Sequence, residues 1–238
     1  NANHNAGIGI TMNGTSVGTV DIDHTNVTGT LVGTDPLFDG SGFQANLNDD
    51  THLTMTIGDP TQPVAQAKNT TFTGNAGNGI EAILRDASFI DDGTIINTIA
   101  SSNSLDGVRM DVRGNNSGVF GTITQFLIDN SIFQNNNQNT TTADFLAGRA
   151  AGVHFLRTSD GEIHNVTISN NLFSNTTAPF RQQNGINILA ANAYKGGVPD
   201  DYVITTNTIT GQTRDGVLLD IRADAQLNVN MDHNNILN

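Results

Sequence analysis

This 238-residue chain contains no cysteine and no tryptophan, and its only tyrosines are Tyr194 and Tyr202. Without cysteine no disulfide framework can form. Basic residues are scarce too: ten Lys and Arg stand against 23 Asp and Glu, a net charge of -13. A chain this acidic repels nucleic acid and anionic membranes as a whole, so neither is expected as a partner. No apolar run approaches the ~20 residues of a membrane span. No signal peptide is visible, and the chain opens at Asn1 without Met, as a processed form or an excised piece would. The six histidines, His4, His24, His52, His154, His164 and His233, show no zinc spacing. EF-hand loops, Gly-x-Ser-x-Gly elbows and phosphate-binding loops are also missing.

Turn formers and strand-face residues are abundant. Gly, Asn and Thr supply 25, 32 and 30 residues, and Asn and Gly disfavour helix interiors. Seven times a Gly is followed by apolar residues at alternate positions. The starts are Gly7, Gly42, Gly79, Gly107, Gly152, Gly185 and Gly216, separated by 35, 37, 28, 45, 33 and 31 residues. Clean copies read Ile8/Ile10/Met12, Phe43/Ala45/Leu47, Val108/Met110/Val112, Ile186/Ile188/Ala190 and Val217/Leu219/Ile221. The copies at Gly79 and Gly152 alternate less cleanly. A period of two predicts a strand with one buried face.

A second signature pairs two apolar residues five positions apart across a polar turn: Ile22 with Val27, Ala67 with Phe72, Ala100 with Leu105, Ile128 with Phe133, Ile168 with Phe173, Ile204 with Ile209 and Met231 with Ile236. Two residues after each first member stand His24, Asn69, Ser102, Asn130, Asn170, Thr206 and His233. Such residues suit tight bends, and stacked copies predict a polar ladder. Short strands with one apolar face make a continuous core only by stacking. The expected fold is therefore all-β, a right-handed single-stranded parallel β-helix of about seven coils forming one domain over residues 1–238, part of a larger protein. A hairpin sandwich is the rival, but two of its three Asn-Gly signals, at Asn78 and Asn184, coincide with repeat starts.

The starts Asn78-Gly79-Ile80, Asp106-Gly107-Val108, Asn184-Gly185-Ile186 and Asp215-Gly216-Val217, with the turns Ile128–Phe133 and Ile168–Phe173, resemble the right-handed parallel β-helix proteins of the pectate-lyase-like superfamily. That group includes lyases, hydrolases, epimerases and non-catalytic surface proteins, so the resemblance speaks to fold more than to activity. It implies a substrate cleft with Arg and Asp along the outward positions of the first strand.

Those positions carry Glu81 and Arg85, then Arg109, Asp111 and Arg113, then His154, with Arg157 one place off phase, then Asp220 and Arg222. Five of eight arginines thus fall on or beside one face. Arg suits bidentate contact with carboxylates, so Arg85, Arg109, Arg113, His154, Arg157, Asp220 and Arg222 are candidate ligands for a uronate-containing polysaccharide. For β-elimination, Arg113 or Arg157 is the candidate base, with Asp111 or Glu81 orienting it or holding Ca2+. The competing reading is a ladder of surface ion pairs. Calcium is the one cofactor considered. Asp21 and Asp23 point one way on a strand, but Gln66 and Lys68 are expected beside them and a third carboxylate is lacking. Asp49-Asp50, Asp91-Asp92 and Asp200-Asp201 read as solvated bends.

Connections at 58–63, 113–121, 135–151, 157–162 and 190–201 vary in length. No capping helix is visible at either end, so neighbouring segments or another copy of the chain are expected to cover the ends. The two functional expectations are a secreted or cell-surface scaffold or adhesive rod that binds acidic polysaccharide, and a polysaccharide lyase or glycoside hydrolase.

Overall fold

A computed structural model describes residues 6–31, 40–62, 68–114, 120–141, 143–176, 182–191 and 199–237. Ala67, Gln66 and Tyr194 of the sequence reading lie outside these residues. The chain winds as a right-handed parallel β-helix of seven coils, each giving one strand to each of three sheets.

The first sheet stacks Ile8–Met12, Phe43–Leu47, Ile80–Leu84, Val108–Arg113, Ala151–Thr158, Asn184–Ala190 and Val217–Ile221, all parallel. The second stacks Val17–Ile22, His52–Ile57, Phe89–Ile96, Phe126–Asp129, Val166–Ser169, Asp200–Thr205 and Leu227–Asp232, with short extensions at Thr122–Ile123 and Glu162–Ile163. The third runs from Asn26–Thr28 to Asn235–Leu237. One short helix, Ala143–Leu146, lies within the longest insertion.

Register follows the glycine starts. Ile8, Phe43, Ile80, Val108, Val153, Ile186 and Val217 superpose as one inward column. The first six start glycines are required by the closeness of the next coil, and Gly216 by the Ile236 side chain of its own coil. A Cβ on Gly79 would lie 2.6 Å from the Gly107 carbonyl oxygen, and one on Gly185 2.7 Å from that of Gly216. Gly93 has a different role: a Cβ there would meet the Phe126 ring at 2.3 Å, so the missing side chain makes room for the ring of the next coil. Phe126, Phe155 and Tyr202 then pack edge to face.

The second apolar signature holds in five coils and shifts in two. The second-sheet column runs Ile22, Ile57, Ile95, Ile128, Ile168, Ile204 and Met231. Ile57 therefore takes the place expected of Ala67. Ala100 belongs to the third sheet, between Phe72 and Phe133, so its partner across the turn is Ile95 and not Leu105. The bend residue of that coil is accordingly Asn97, not Ser102. His24, Asn97, Asn130, Asn170, Thr206 and His233 all adopt a left-handed backbone there, φ 46° to 57°. Ser102 stands in a second left-handed column, directly after the third strand, with Gly29, Gly74, Asn135 and Gly211.

Two buried amide ladders run beside these bends. One is a residue past the first bend: Asn171 Nδ2 donates to Asn207 Oδ1 at 3.0 Å, and Asn207 Nδ2 to Asn234 Oδ1 at 2.9 Å. The other lies past the third strand. Asn75 Nδ2 donates to Asn103 Oδ1 at 2.9 Å, Asn103 to Asn136 at 3.0 Å, Asn136 to Gln182 at 3.2 Å and Gln182 to Gln212 at 3.3 Å. Asn103 Nδ2 also donates to the Phe72 carbonyl at 3.1 Å. Removing one rung strands buried donors and acceptors on both sides, and each such group costs about 1–3 kcal/mol. Asn103→Ala is expected to lower the urea midpoint by the equivalent of about 3 kcal/mol. A loss below about 0.5 kcal/mol, typical of a surface substitution, would refute the ladder's role.

Candidate functional site

The outward face of the first sheet is largely covered. Gln44, Asn46, Glu81, Asp111, His154, Asn187 and Leu189 are all buried. Over the last coils the roof comes from the insertion after the third strand. Arg149 receives the Asn187 amide on its carbonyl at 2.9 Å, and its Nε reaches Asp220 Oδ2 at 3.2 Å. The Gly148 carbonyl accepts from Asn184 Nδ2 at 2.9 Å.

Where this roof meets the third and fourth coils it leaves a cleft of about 290 Å³, lined by Asn78, Glu81, Leu105, Asp106, Arg109, Asp111, Arg113, Asn137, Ala143 and Ala150. Glu81, Arg109, Asp111 and Arg113, four residues singled out in the sequence, thus meet in one cleft. Register explains it: Glu81 sits beside Arg109 on the neighbouring strand, and Asp111 and Arg113 follow on alternate positions of that strand.

The charges inside the cleft are arranged against one another. Arg113 grips Asp111 bidentately, Nε to Oδ1 at 2.9 Å and Nη2 to Oδ2 at 2.5 Å. This bond, with Asp111's charge, outweighs burial and raises the Arg113 guanidinium above its ordinary value. Arg109 Nη1 lies 3.5 Å from Asp106 Oδ2. Asp106 forms the floor of the cleft. Its Oδ1 accepts from Ala151 N and Asn137 Nδ2, each at 2.8 Å, and its Oδ2 faces His154 Nδ1 at 3.0 Å. Burial alone would raise the Asp106 carboxyl. The His154 hydrogen bond, with Arg109 and the Ala151 N–H, overrides it and holds the group below its usual value. His154 Nε2 lies 3.1 Å from Asn187 Nδ2, which also donates to the Arg149 carbonyl, so Nε2 accepts. His154 is therefore a fully buried link between two side chains and does not reach the cleft.

Two amide atoms in the cleft have no hydrogen-bond partner among the described residues. Asn78 Oδ1 accepts from Asp106 N at 2.9 Å, which leaves Nδ2 free. Asn137 Nδ2 is committed to Asp106, which leaves Oδ1 free. The sequence reading treated Asn78-Gly79 and Asp106-Gly107 only as fold markers. Their chemistry could have been suspected from their place directly beside the outward strand positions.

The other predicted ligands go elsewhere. Arg157 occupies an inward position, between Val112 and Ala190, and forms a buried ion pair with Asp200, Nε to Oδ2 at 2.5 Å. It is a core residue and not part of the outward face. Asp200 is accordingly no solvated bend. Arg222 pairs with Asp220 at 2.5 Å on the last coil, away from the cleft. Arg85 donates to Asn48 Oδ1 at 3.4 Å, and burial followed by the nearby Arg113 lowers its guanidinium from its ordinary value.

Asp21 lies beside Thr56, which corrects the expected Gln66. One group with metal-binding geometry occurs among the described residues, Asp23, His24 and Asp59. Its members are already engaged: His24 Nδ1 is 2.7 Å from Asp23, and Asp59 Oδ1 accepts from both N and Oγ1 of Thr61. No helix among the described residues is long and apolar enough to cross a membrane.

No family model, no curated protein and no solved structure matches this chain.

Proposed function

We propose that this chain is a rigid module of a secreted or cell-surface protein, a scaffold or adhesive rod of the pectate-lyase-like kind, that touches acidic polysaccharide at the first-sheet cleft. The observation that carries this reading is the state of its arginines. Arg109, Arg113, Arg157 and Arg222 are each turned onto an aspartate of the chain itself. A guanidinium held bidentately by a neighbouring carboxylate is a poor base for β-elimination, which calls for an unprotonated group near the substrate. It remains able to share a ligand carboxylate at its outer edge. Arg157, the second candidate base, is buried away from the face.

The enzyme reading rests on one observation, the presence of Glu81, Asp106 and Asp111 in a single cleft. Two carboxylates in one site are what glycoside hydrolysis requires, but Asp106 and Asp111 are spent on His154, Arg109 and Arg113.

Titration with polyuronate fragments and neutral oligosaccharides separates these readings. The expected result is salt-sensitive binding of the uronates, without growth of the ultraviolet band of an unsaturated product and without new reducing ends. Arg109→Ala is expected to weaken that binding about tenfold, roughly 1.4 kcal/mol. Unsaturated product that disappears in Arg113→Ala would establish a lyase instead. Absence of any uronate binding would remove the glycan role.

A further inference from the structure

We propose that Asn13 is a built-in deamidation site, at which the folded chain converts one asparagine to aspartate and isoaspartate. The sequence has three Asn-Gly pairs, at Asn13, Asn78 and Asn184. Succinimide formation needs three things: an attacking backbone nitrogen on the following residue that is not held in the main-chain hydrogen-bond ladder, a base for its proton, and a donor for the developing oxyanion. Only the first pair has all three.

The Asn13-Gly14 pair lies at the exposed bend between the first and second strands, with Gly14 at φ 71°. Gly14 N–H points at Asp49 Oδ2, 3.0 Å away on the next coil. Asn13 Oδ1, the oxygen that becomes the oxyanion, accepts from Asn48 Nδ2 at 3.1 Å. A carboxylate and an amide on adjacent residues of coil two thus bracket the two ends of the reaction. A Cβ on Gly14 would meet nothing within 4 Å, so the bend has room to close into the five-membered ring.

In the reaction, Asp49 accepts the Gly14 amide proton as the nitrogen attacks Asn13 Cγ. The C–N bond forms and the tetrahedral oxyanion is held by Asn48. The side-chain amine then leaves as ammonia, taking the proton back from Asp49. Water opens the succinimide at either carbonyl. No oxidant or further reactant is needed.

The other two pairs serve as controls within the same molecule. Gly79 N is committed to the Asp106 carbonyl at 3.0 Å, and Gly185 N to those of Asp215 and Gly216. Both asparagines are fully buried, and each Oδ1 accepts a backbone N–H of the next coil. The product at Asn13 sets a second carboxylate beside Asp49. Its isoaspartate form lengthens the main chain at the first bend.

The test is peptide mapping by mass spectrometry of the purified full chain after incubation at mildly alkaline pH. Conversion is expected at Asn13 and not at Asn78 or Asn184. Asp49→Asn, which keeps a residue tolerant of the left-handed backbone found there (φ 59°), is expected to slow it about tenfold or more. Asn48→Ala is expected to slow it as well. An unchanged rate in Asp49→Asn, or conversion no faster than in a short peptide spanning Asn13, would overturn the proposal.

Discussion

Gly79→Val is expected to destabilise the chain by at least about 3 kcal/mol, the upper range for overpacking a close-packed interior. The new Cβ alone would stand 2.6 Å from the Gly107 oxygen, 2.8 Å from Asn103 Nδ2 and 3.0 Å from the Ala100 methyl. None of these can retreat cheaply. The Gly107 oxygen accepts the Ile80 N–H at 2.9 Å, and Asn103 Nδ2 is a rung of the amide ladder. Relief would require separating coils three and four. The contrast is Gly74→Ala, at φ 67° with nothing within 4 Å of an added Cβ. There only the left-handed backbone resists, at roughly 1–2 kcal/mol. Gly74→Asn is milder still, since Asn135 already fills that column. Urea unfolding of the three variants checks the order. Equal losses for Gly79→Val and Gly74→Ala would show that close approach does not explain the glycine starts.

The second large effect is expected at Arg157→Met. Taking one partner from a buried ion pair leaves an uncompensated charge, typically at 3–5 kcal/mol. Here the remaining group is Asp200, whose carboxyl is pushed up to about 6 by burial, against the pull of Arg157 and the Ile163 N–H. A carboxyl raised above its ordinary 3.8 binds its proton more tightly in the folded chain. Its contribution to stability is therefore complete below about 3.8 and is lost as pH rises through about 6. That shift corresponds to about 3 kcal/mol at most. Wild-type stability from this group is expected to fall between about pH 4 and pH 7, a limb absent in Asp200→Asn. Arg157→Met is expected to extend the same limb to higher pH, because Asp200 then faces burial without a counter-charge and its carboxyl is pushed further up. Unfolding midpoints across this window decide the matter: superposable pH profiles for wild type and Asp200→Asn would contradict the assignment.

The contrast between these two sites shows what could be read from residues alone. The glycine starts were legible because one local requirement, no Cβ where coils touch, repeats in six successive coils and punctuates an alternating strand. All seven starts found their register. The second signature failed in coils two and three for identifiable reasons. An insertion separates Ile57 from Phe72, and Ala100 occupies a third-strand position filled by Phe in three other coils, so a small residue was mistaken for the start of the motif.

The site was legible only in part. Alternation placed Glu81, Arg109, Asp111 and Arg113 on one face, and they do share a cleft. It could not show that the insertion at 135–151 folds back over that face, burying His154 and Asn187, because this depends on contacts more than thirty residues apart. Nor could it show that Arg157, one place off phase, turns inward: an arginine in a core column is tolerable only beside Asp200, 43 residues away.

The amide ladders also give the rod a direction. In each rung from Asn75 to Gln212, and again from Asn171 to Asn234, the donor belongs to the earlier coil and the acceptor to the later one. Their dipoles therefore add head to tail and polarise one another. The two ends of a ladder are therefore chemically unlike: at the early end Asn75 Oδ1 takes hydrogens from N and Oγ1 of Thr30, whereas at the late ends Gln212 Nε2 and Asn234 Nδ2 give theirs to main-chain carbonyls.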